Sequence, residues 1–197
     1  MDSKQFQELV LQALETELGG VQVYENAVEC AINDDLRREW EEYLSQTENH
    51  VKTLHDLCEK LGIDPQQETN GRRIVRHIGQ ALVKAIQLAC EGGPSVGAQL
   101  VAAECVVLAE TKDHQNWELL GLCAEKLDSK RSKMVREAQS EVEEQEDEHL
   151  YHTTGWSREL WIQSLGMPAV LPPPEEEKEV RTAIGAARAK QARKEML

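Results

Sequence analysis

Glutamate and histidine side chains fall on the inward faces of four long helical stretches in this sequence. Four- and three-residue steps place the apolar positions of each stretch on one face. The residues on these faces that could do chemistry are Glu17, His50, Glu110, Glu146 and His149. A carboxylate buried among apolar side chains is protonated, paired or bound to a metal. Carboxylates and imidazoles that meet at one point suit divalent iron, manganese or zinc.

Four more polar residues are expected beside these ligands, where they would orient or supplement them. They are Tyr24, Thr47, His114 and His152. Two alternatives stay open at this point. First, His114 and His152 can each be a packing residue. Second, the inward glutamates can pair with the inward histidines or with Tyr24, which would make a polar core that holds no metal.

Helices must bring these residues together, and the sequence predicts little else. Hardly any stretch alternates with the two-residue period of a strand, and Gly and Pro gather at a few boundaries. The predicted helices cover residues 3–32, about 34–61, about 72–91, 95–127 and about 130–161. Two short turns join two antiparallel pairs, and the third helix makes a long crossover between the pairs. The chain is therefore predicted to be all-α, with an antiparallel four-helix bundle over residues 1–163.

A proline-rich stretch separates a tail from this bundle. Successive prolines at 172–174 cannot continue a helix, so the chain is expected to be extended there. A tail helix is predicted over about 175–195, acidic at its start and basic near its end, as the helix dipole favours. Residues 164–197 thus form an extended segment plus a C-terminal helix. Such a tail can dock a partner subunit or cap its own bundle.

The composition excludes several classes of partner. The 197 residues carry a formal net charge of −14, and the first 170 offer no basic face for nucleic acid or an anionic membrane, whereas cationic metals suit this charge. The five cysteines are widely spaced without a Cys-x-x-Cys pair and are expected to be reduced. The N-terminus lacks a signal-peptide pattern, and no apolar run has membrane-spanning length. A cytoplasmic location and a homo-oligomer, with a dimer favoured, are expected.

The motifs on these helices resemble the ferritin-like superfamily, which includes bacterioferritins, rubrerythrins and other di-iron carboxylate proteins. That family places one Glu on each of two helices and a Glu-x-x-His on each of the other two. Here Glu17 precedes Tyr24 by seven residues, as in the first helix of bacterioferritins, and EDEH at 146–149 is an intact Glu-x-x-His. The second helix departs from the pattern, because TENH at 47–50 keeps the histidine but has Thr in place of the bridging Glu.

The resemblance implies a ferritin-like bundle that binds one or two iron or manganese ions, or zinc. Its ligands would be Glu17, His50, Glu110, Glu146 and His149. The implied activity is oxidation of ferrous iron or handling of dioxygen or peroxide, which is oxidoreductase chemistry. No haem or nucleotide is expected, and the chain lacks the four-cysteine site of a rubrerythrin-type electron relay. Thr47 supports the alternative, a ferritin-like structural or interaction protein with a degenerate, metal-free site.

Overall fold

The chain is built from helices, and the prediction of an all-α fold is confirmed. The computed structural model describes residues 2–197, so that Met1 lies outside the described part, and it contains no strand within that range. The helices are α1 (Ser3–Cys30), α2 (Asp34–Leu61), α3 (Asn70–Ala89), α4 (Val96–Ala124), α5 (Ser129–Ser140), α6 (Glu143–Ser164), α7 (Pro174–Glu177) and α8 (Ala183–Ala192), followed by a 3₁₀ turn (Arg193–Glu195). No helix among the described residues combines the length and apolar character needed to cross a membrane.

Four long helical segments close around one interior. Helix α1 packs against α2 and α4, and both of these pack against α5 and α6. The turn between α1 and α2 is short because Asn33 caps α2, its side chain accepting hydrogen bonds from the backbone amides of Asp35 and Leu36. The connection from α2 to α4 is long and contains α3, as the predicted crossover requires. Helix α3 covers the outer side of α1 and α4.

Helices α1 and α3 approach closely at a pair of glycines. A Cβ atom added to Gly19 would lie 3.7 Å from the Cα atom of Gly79, and one added to Gly79 would lie 3.5 Å from the Cα atom of Gly19. Because neither residue has a side chain, the two backbones approach so closely that a single methyl group would fill the space between them. The crossover helix is therefore fixed directly against the helix that carries Glu17.

The interior has two apolar clusters with a polar layer between them. One cluster contains Tyr24, Trp40 and Trp156, and the other contains Leu54 and Trp117. Along every long segment the predicted ligands fall between residues of the first cluster and residues of the second. Apolar packing therefore seals the polar layer from both ends and makes each unpaired charge there costly.

The fourth long segment is divided, which differs from the single helix predicted over 130–161. Helix α5 ends at Ser140 and α6 begins at Glu143. The Ser140 hydroxyl donates a 3.0 Å hydrogen bond to the carbonyl of Glu137, and such a side-chain bond to the preceding turn competes with helical bonding. Val142 sits in the break and is buried, so the inward face continues into α6 and Glu146 still points inward.

The C-terminal segment also differs from its prediction, since one helix over 175–195 is replaced by two short ones. Glu179 adopts a positive φ of 47° between them, and Thr182 caps α8 by accepting a 3.0 Å hydrogen bond from the amide of Gly185. The segment folds back onto α6. Arg158 on α6 donates two 2.7 Å hydrogen bonds to the carboxylate of Glu175, and Arg193 donates to the carboxylate of Glu159.

Candidate metal centre

The five predicted ligands meet in the polar layer of the interior. Glu17 comes from α1, His50 from α2, Glu110 from α4, and Glu146 and His149 from α6, and each is at most 3% exposed. His50 Nδ1 lies 3.0 Å from Glu146 Oε1 and 3.5 Å from Glu17 Oε1. His149 Nδ1 lies 3.5 Å from Glu110 Oε2 and 3.9 Å from Glu146 Oε1. Glu146 therefore lies between the two imidazoles.

Two glutamines fix the orientation of these imidazoles. His50 Nε2 lies 2.8 Å from Gln145 Oε1, and His149 Nε2 lies 2.7 Å from Gln46 Oε1. A carboxamide oxygen only accepts hydrogen bonds, so each Nε2 carries a proton and donates it. Each Nδ1 is then left facing the carboxylates. Metal-bound histidines commonly have this arrangement, with the nitrogen that does not bind the metal donating to an oxygen.

Protons must balance the charge of this cluster where no cation does. Burial disfavours the charged form of His50, but Glu146 and Glu17 outweigh that effect and raise the pKa of His50 to about 11. Burial and then repulsion from Glu17 raise the pKa of Glu146 to about 8, although His50 opposes the shift. The centre thus holds protons at neutral pH that a bound divalent cation would displace.

Several carboxylate oxygens in the centre have no hydrogen-bond donor. Within residues 2–197, no group donates a hydrogen bond of ordinary geometry to Glu17 Oε2, Glu110 Oε2, Asp113 Oδ1 or Glu146 Oε2, and Glu146 Oε1 has only its 3.0 Å contact with His50 Nδ1. Buried polar atoms nearly always have a partner. In this chain the carboxylate oxygens without a donor cluster in the polar layer, and carboxylate oxygens are ligands for divalent cations.

Asp113 is a fourth acidic residue of the centre, and the sequence prediction missed it. It is 4% exposed, and one of its oxygens lies within 4.8 Å of ligand atoms of both Glu17 and Glu146. Burial, followed by repulsion from Glu17 and Glu146, raises the pKa of Asp113 well above its ordinary value. The signal was present in the sequence, because Asp113 follows Glu110 by three residues and so shares its side of the helix.

The glutamines were missed as well, although their spacing repeats. Gln46 precedes His50 by four residues, and Gln145 precedes His149 by four residues. Each pair therefore lies on one helix face. In the structure each glutamine binds the histidine of the other helix, which only the packing of α2 against α6 could show.

Two of the residues predicted to stand beside the ligands do so. Tyr24 is fully buried, and burial together with the negative charge of Glu110 raises its pKa well above the ordinary value, so the phenol stays protonated. Thr47 is 2% exposed and faces α1, since a Cβ added to Gly20 would lie 3.2 Å from Thr47 Cγ2. Thr47 therefore fills the space beside His50 without supplying a carboxylate.

The other two residues bond outside the ligand cluster. His114 Nε2 lies 2.9 Å from Asp147 Oδ1. His152 Nδ1 lies 3.1 Å from the hydroxyl of Tyr43 and 3.2 Å from Glu176 Oε2. These two histidines thus make separate contacts, one at a cavity wall and one under the C-terminal segment.

A cavity of about 250 Å³ adjoins the centre. It lies between α4, α6 and the C-terminal segment, and its lining includes Trp117 and Glu146 as well as His114, Asp147 and Arg181. Trp117 donates a 2.8 Å hydrogen bond from Nε1 to Glu17 Oε1, so this wall is continuous with the ligand set. Small species that enter the cavity reach the edge of the centre at Glu146.

Comparisons with known proteins do not assign the chain to a family. No protein-family model, curated protein or solved structure matches it. Its function is therefore inferred from the donor atoms of the chain itself.

Proposed function

We propose that the chain is a ferritin-like non-haem metal-binding protein whose centre holds one or two iron or manganese ions, with zinc as a further candidate. Its four long segments would form the antiparallel four-helix bundle of that superfamily. The observation that carries the proposal is the pair of glutamine-held imidazoles, whose Nδ1 atoms face a surplus of buried carboxylates. The alternative is a structural or interaction protein with the same fold and a metal-free polar core.

The donor set divides naturally between two positions. Glu17, His50 and Asp113 would serve one ion, and Glu110 and His149 the other. Glu146 lies between them, within 3.9 Å of both Nδ1 atoms. Four carboxylates and two imidazoles are the donor types that suit divalent iron or manganese. The charges of the four carboxylates also equal those of two divalent cations, so the buried centre would be neutral when filled.

Asp113 can compensate for Thr47, which stands where the ferritin-like pattern has a bridging Glu. The missing Glu at that position removes one carboxylate from the ferritin-like pattern. Asp113 restores the number of acidic side chains from a different helix, α4 instead of α2. Thr47 is the best support for the alternative function, and this compensation weakens it.

Bound iron or manganese would supply one-electron redox chemistry with dioxygen or peroxide. The chain's own groups would hold the ions and keep bulk water out. The apolar clusters on either side of the polar layer exclude water, and the protonated phenol of Tyr24 offers a hydrogen-bond donor near Glu110. The cavity beside Glu146 suits a ferrous ion, dioxygen or peroxide, since at about 250 Å³ it is below the size of most organic-ligand pockets.

Elemental analysis of anaerobically purified protein, compared with the Glu146→Gln variant, tests this function. We expect one or two iron or manganese ions per chain in the wild type and a clear loss in Glu146→Gln, because Glu146 would contact both ions. Metal at 100 times its dissociation constant stabilises a fold by about 2.7 kcal/mol. For a chain of this length that corresponds to a rise in Tm of roughly 5–10 °C.

Glu48→Gln is the matched control, since Glu48 is exposed on α2 next to Thr47. It should keep the wild-type metal content and Tm. The metal-free alternative would be favoured if the wild-type protein held no stoichiometric metal and its Tm did not rise on addition of Fe²⁺ or Mn²⁺. The native mass of the same preparation tests the homo-oligomer, for which we expect a dimer.

A further inference from the structure

A second group of ligand-type side chains lies outside the interior centre, beneath the C-terminal segment. It consists of Glu39 from α2, His152 from α6 and Glu176 from α7. One potential ligand atom from each residue lies within 4.8 Å of the others. The group borders a cavity of about 520 Å³ that opens to solvent.

Unpartnered atoms point to a ligand at this position. Glu39 is 8% exposed and His152 is 7% exposed. Within residues 2–197, Glu39 Oε1 and His152 Nε2 have no hydrogen-bond partner, and Glu176 Oε2 has only its 3.2 Å contact with His152 Nδ1. The other oxygen of Glu39 accepts a hydrogen bond from Nε1 of Trp156, which fixes the side chain in place. A carboxylate held this way without a partner is costly to bury unless a proton or a cation accompanies it.

The C-terminal segment delivers Glu176 to the group and holds it there. Its neighbour Glu175 is 2% exposed and accepts two 2.7 Å hydrogen bonds from Arg158 of α6. Gly155 allows this close approach, because a Cβ there would lie 2.6 Å from Glu175 Oε2 and 3.0 Å from Pro173 Cβ. The backbone that carries Glu176 is therefore fixed by packing of the segment against α6.

The surrounding charges favour a cation. The cavity beside the group is also lined by Asp35, Glu42, Glu148 and Glu179, of which Glu148 is paired with Arg181 at 2.6 Å. Arg38 is the one basic residue among the described lining residues, and its charge is paired with Asp35. An excess of carboxylates around a partly enclosed cavity raises the local concentration of cations.

We propose that Glu39, His152 and Glu176 form a second, solvent-facing site for a divalent transition-metal cation, completed by the C-terminal segment. Two carboxylates and one imidazole suit Mn²⁺, Fe²⁺ or Zn²⁺ better than Ca²⁺ or Mg²⁺, which prefer oxygen ligands throughout. The site does not depend on metal in the interior centre. Tyr43 nonetheless links the second site to the interior centre. Its hydroxyl lies 3.1 Å from His152 Nδ1, and its ring centroid lies 4.1 Å from the ring centroid of His149.

Titration of the full-length, metal-stripped chain with Mn²⁺ tests the second site, with free Mn²⁺ counted by electron paramagnetic resonance. We expect Glu176→Gln to bind one Mn²⁺ fewer per chain than the wild type, or to bind that ion at least tenfold more weakly. Glu177→Gln is the control, because Glu177 is exposed on the same turn and should bind as the wild type does. Glu39→Gln should reproduce the loss from a different helix.

The Glu146→Gln variant separates this site from the interior centre. If Glu146→Gln binds as the wild type does while Glu176→Gln loses one ion, the second site stands and the proposed function fails. Equal Mn²⁺ binding by the wild type and Glu176→Gln would overturn the second site, and so would a wild type that binds no Mn²⁺. Circular dichroism of each stripped variant verifies that the helices remain, so a loss of Mn²⁺ is not a loss of fold.

Discussion

His50 and His149 are each held by a glutamine from the opposite helix, and this exchange fixes which ring nitrogen faces the carboxylates. With Nε2 donating to Gln145 or Gln46, the Nδ1 atoms are directed at Glu146 and its acidic neighbours. A lone pair facing a carboxylate is repulsive unless a proton or a cation lies between them. The pKa of His50 is raised to about 11, so at neutral pH a proton lies between its Nδ1 and the carboxylate. A bound metal ion would take the place of that proton.

Asp113→Asn tests whether the acidic side chain on α4 takes part in the centre. We expect affinity for Mn²⁺ or Fe²⁺ to fall on the order of tenfold or more, as for groups in and around metal ligand sets. Without metal the fold should change little, since burial and its acidic neighbours already favour a neutral Asp113. Isothermal titration calorimetry on stripped protein measures the change.

Asp56→Asn is the control for that measurement, because Asp56 is exposed on α2. It should bind metal as the wild type does. An unchanged affinity in Asp113→Asn would assign the residue to packing and leave Thr47 uncompensated.

Helix α6 carries three tasks along its length. Its first half supplies Glu146 and His149 to the interior, His152 faces the second site, and its last turns bind the C-terminal segment through Arg158 and Glu159. Glu159 is fully buried, and although burial would raise its pKa, the amide of Val170 and two arginines lower it instead. The segment is therefore attached by ionised groups that the bundle itself positions.

Gly155→Ala tests how tightly this segment is seated. Alanine is the better helix former, but its Cβ would clash with Glu175 Oε2 and Pro173 Cβ. We expect a loss of about 1–3 kcal/mol in the free energy of unfolding, typical of overpacking. Faster cleavage of residues 166–197 by a protease should accompany it, and limited proteolysis with mass spectrometry measures the rate.

Gly97→Ala provides the matched substitution without a clash, because the nearest atom to its added Cβ is Ser95 Oγ at 4.0 Å. This change should stabilise the protein by about 0.5–1 kcal/mol. If both variants were stabilised alike, the C-terminal segment would be seated more loosely on α6 than the structure indicates.

At the scale of the whole molecule, an ionic network on the outer side joins the crossover helix α3 to α1. Glu15 of α1 is 6% exposed and accepts 2.6 Å hydrogen bonds from Nε of both Arg72 and Arg76 on α3. Burial would raise the pKa of Glu15, but the two arginines outweigh it and lower that pKa. The crossover helix is thereby joined to the bundle by charge as well as by the close approach of Gly19 to Gly79.

This network predicts how stability depends on pH. Glu15→Gln should lose about 3–5 kcal/mol at neutral pH, since it leaves buried Arg72 without its counter-ion. Because the folded pKa of Glu15 lies below the unfolded value of about 4.3, the unfolded state binds the proton first as pH falls. The stability difference between wild type and variant should therefore be full above that value and shrink as pH falls through the folded pKa.

Urea unfolding at a series of pH values measures this difference. Glu68→Gln is the control, because Glu68 pairs with the same Arg76 but is exposed, so its effect should be much smaller. A difference for Glu15→Gln that stays constant down to pH 2 would show that the ionised form of Glu15 is not what joins α3 to α1.

The helical periodicity of the chain was sufficient to predict the all-α fold, the crossover helix and the burial of Glu17, His50, Glu110, Glu146 and His149. Spacing along one helix decides which face a residue occupies, and this information is local. The breaks at Ser140 and around Glu179 depend on side-chain bonding and on packing against α6, so periodicity could not locate them.

Tertiary structure decided which buried groups meet. Asp113 joins Glu17 and Glu146, the glutamines cross to the opposite histidines, and Glu176 reaches His152 only after the chain has folded back onto α6. These contacts join residues up to about 100 positions apart along the chain, as with the 95 that separate His50 from Gln145. Their geometry follows from how helices pack, which no short stretch of sequence encodes.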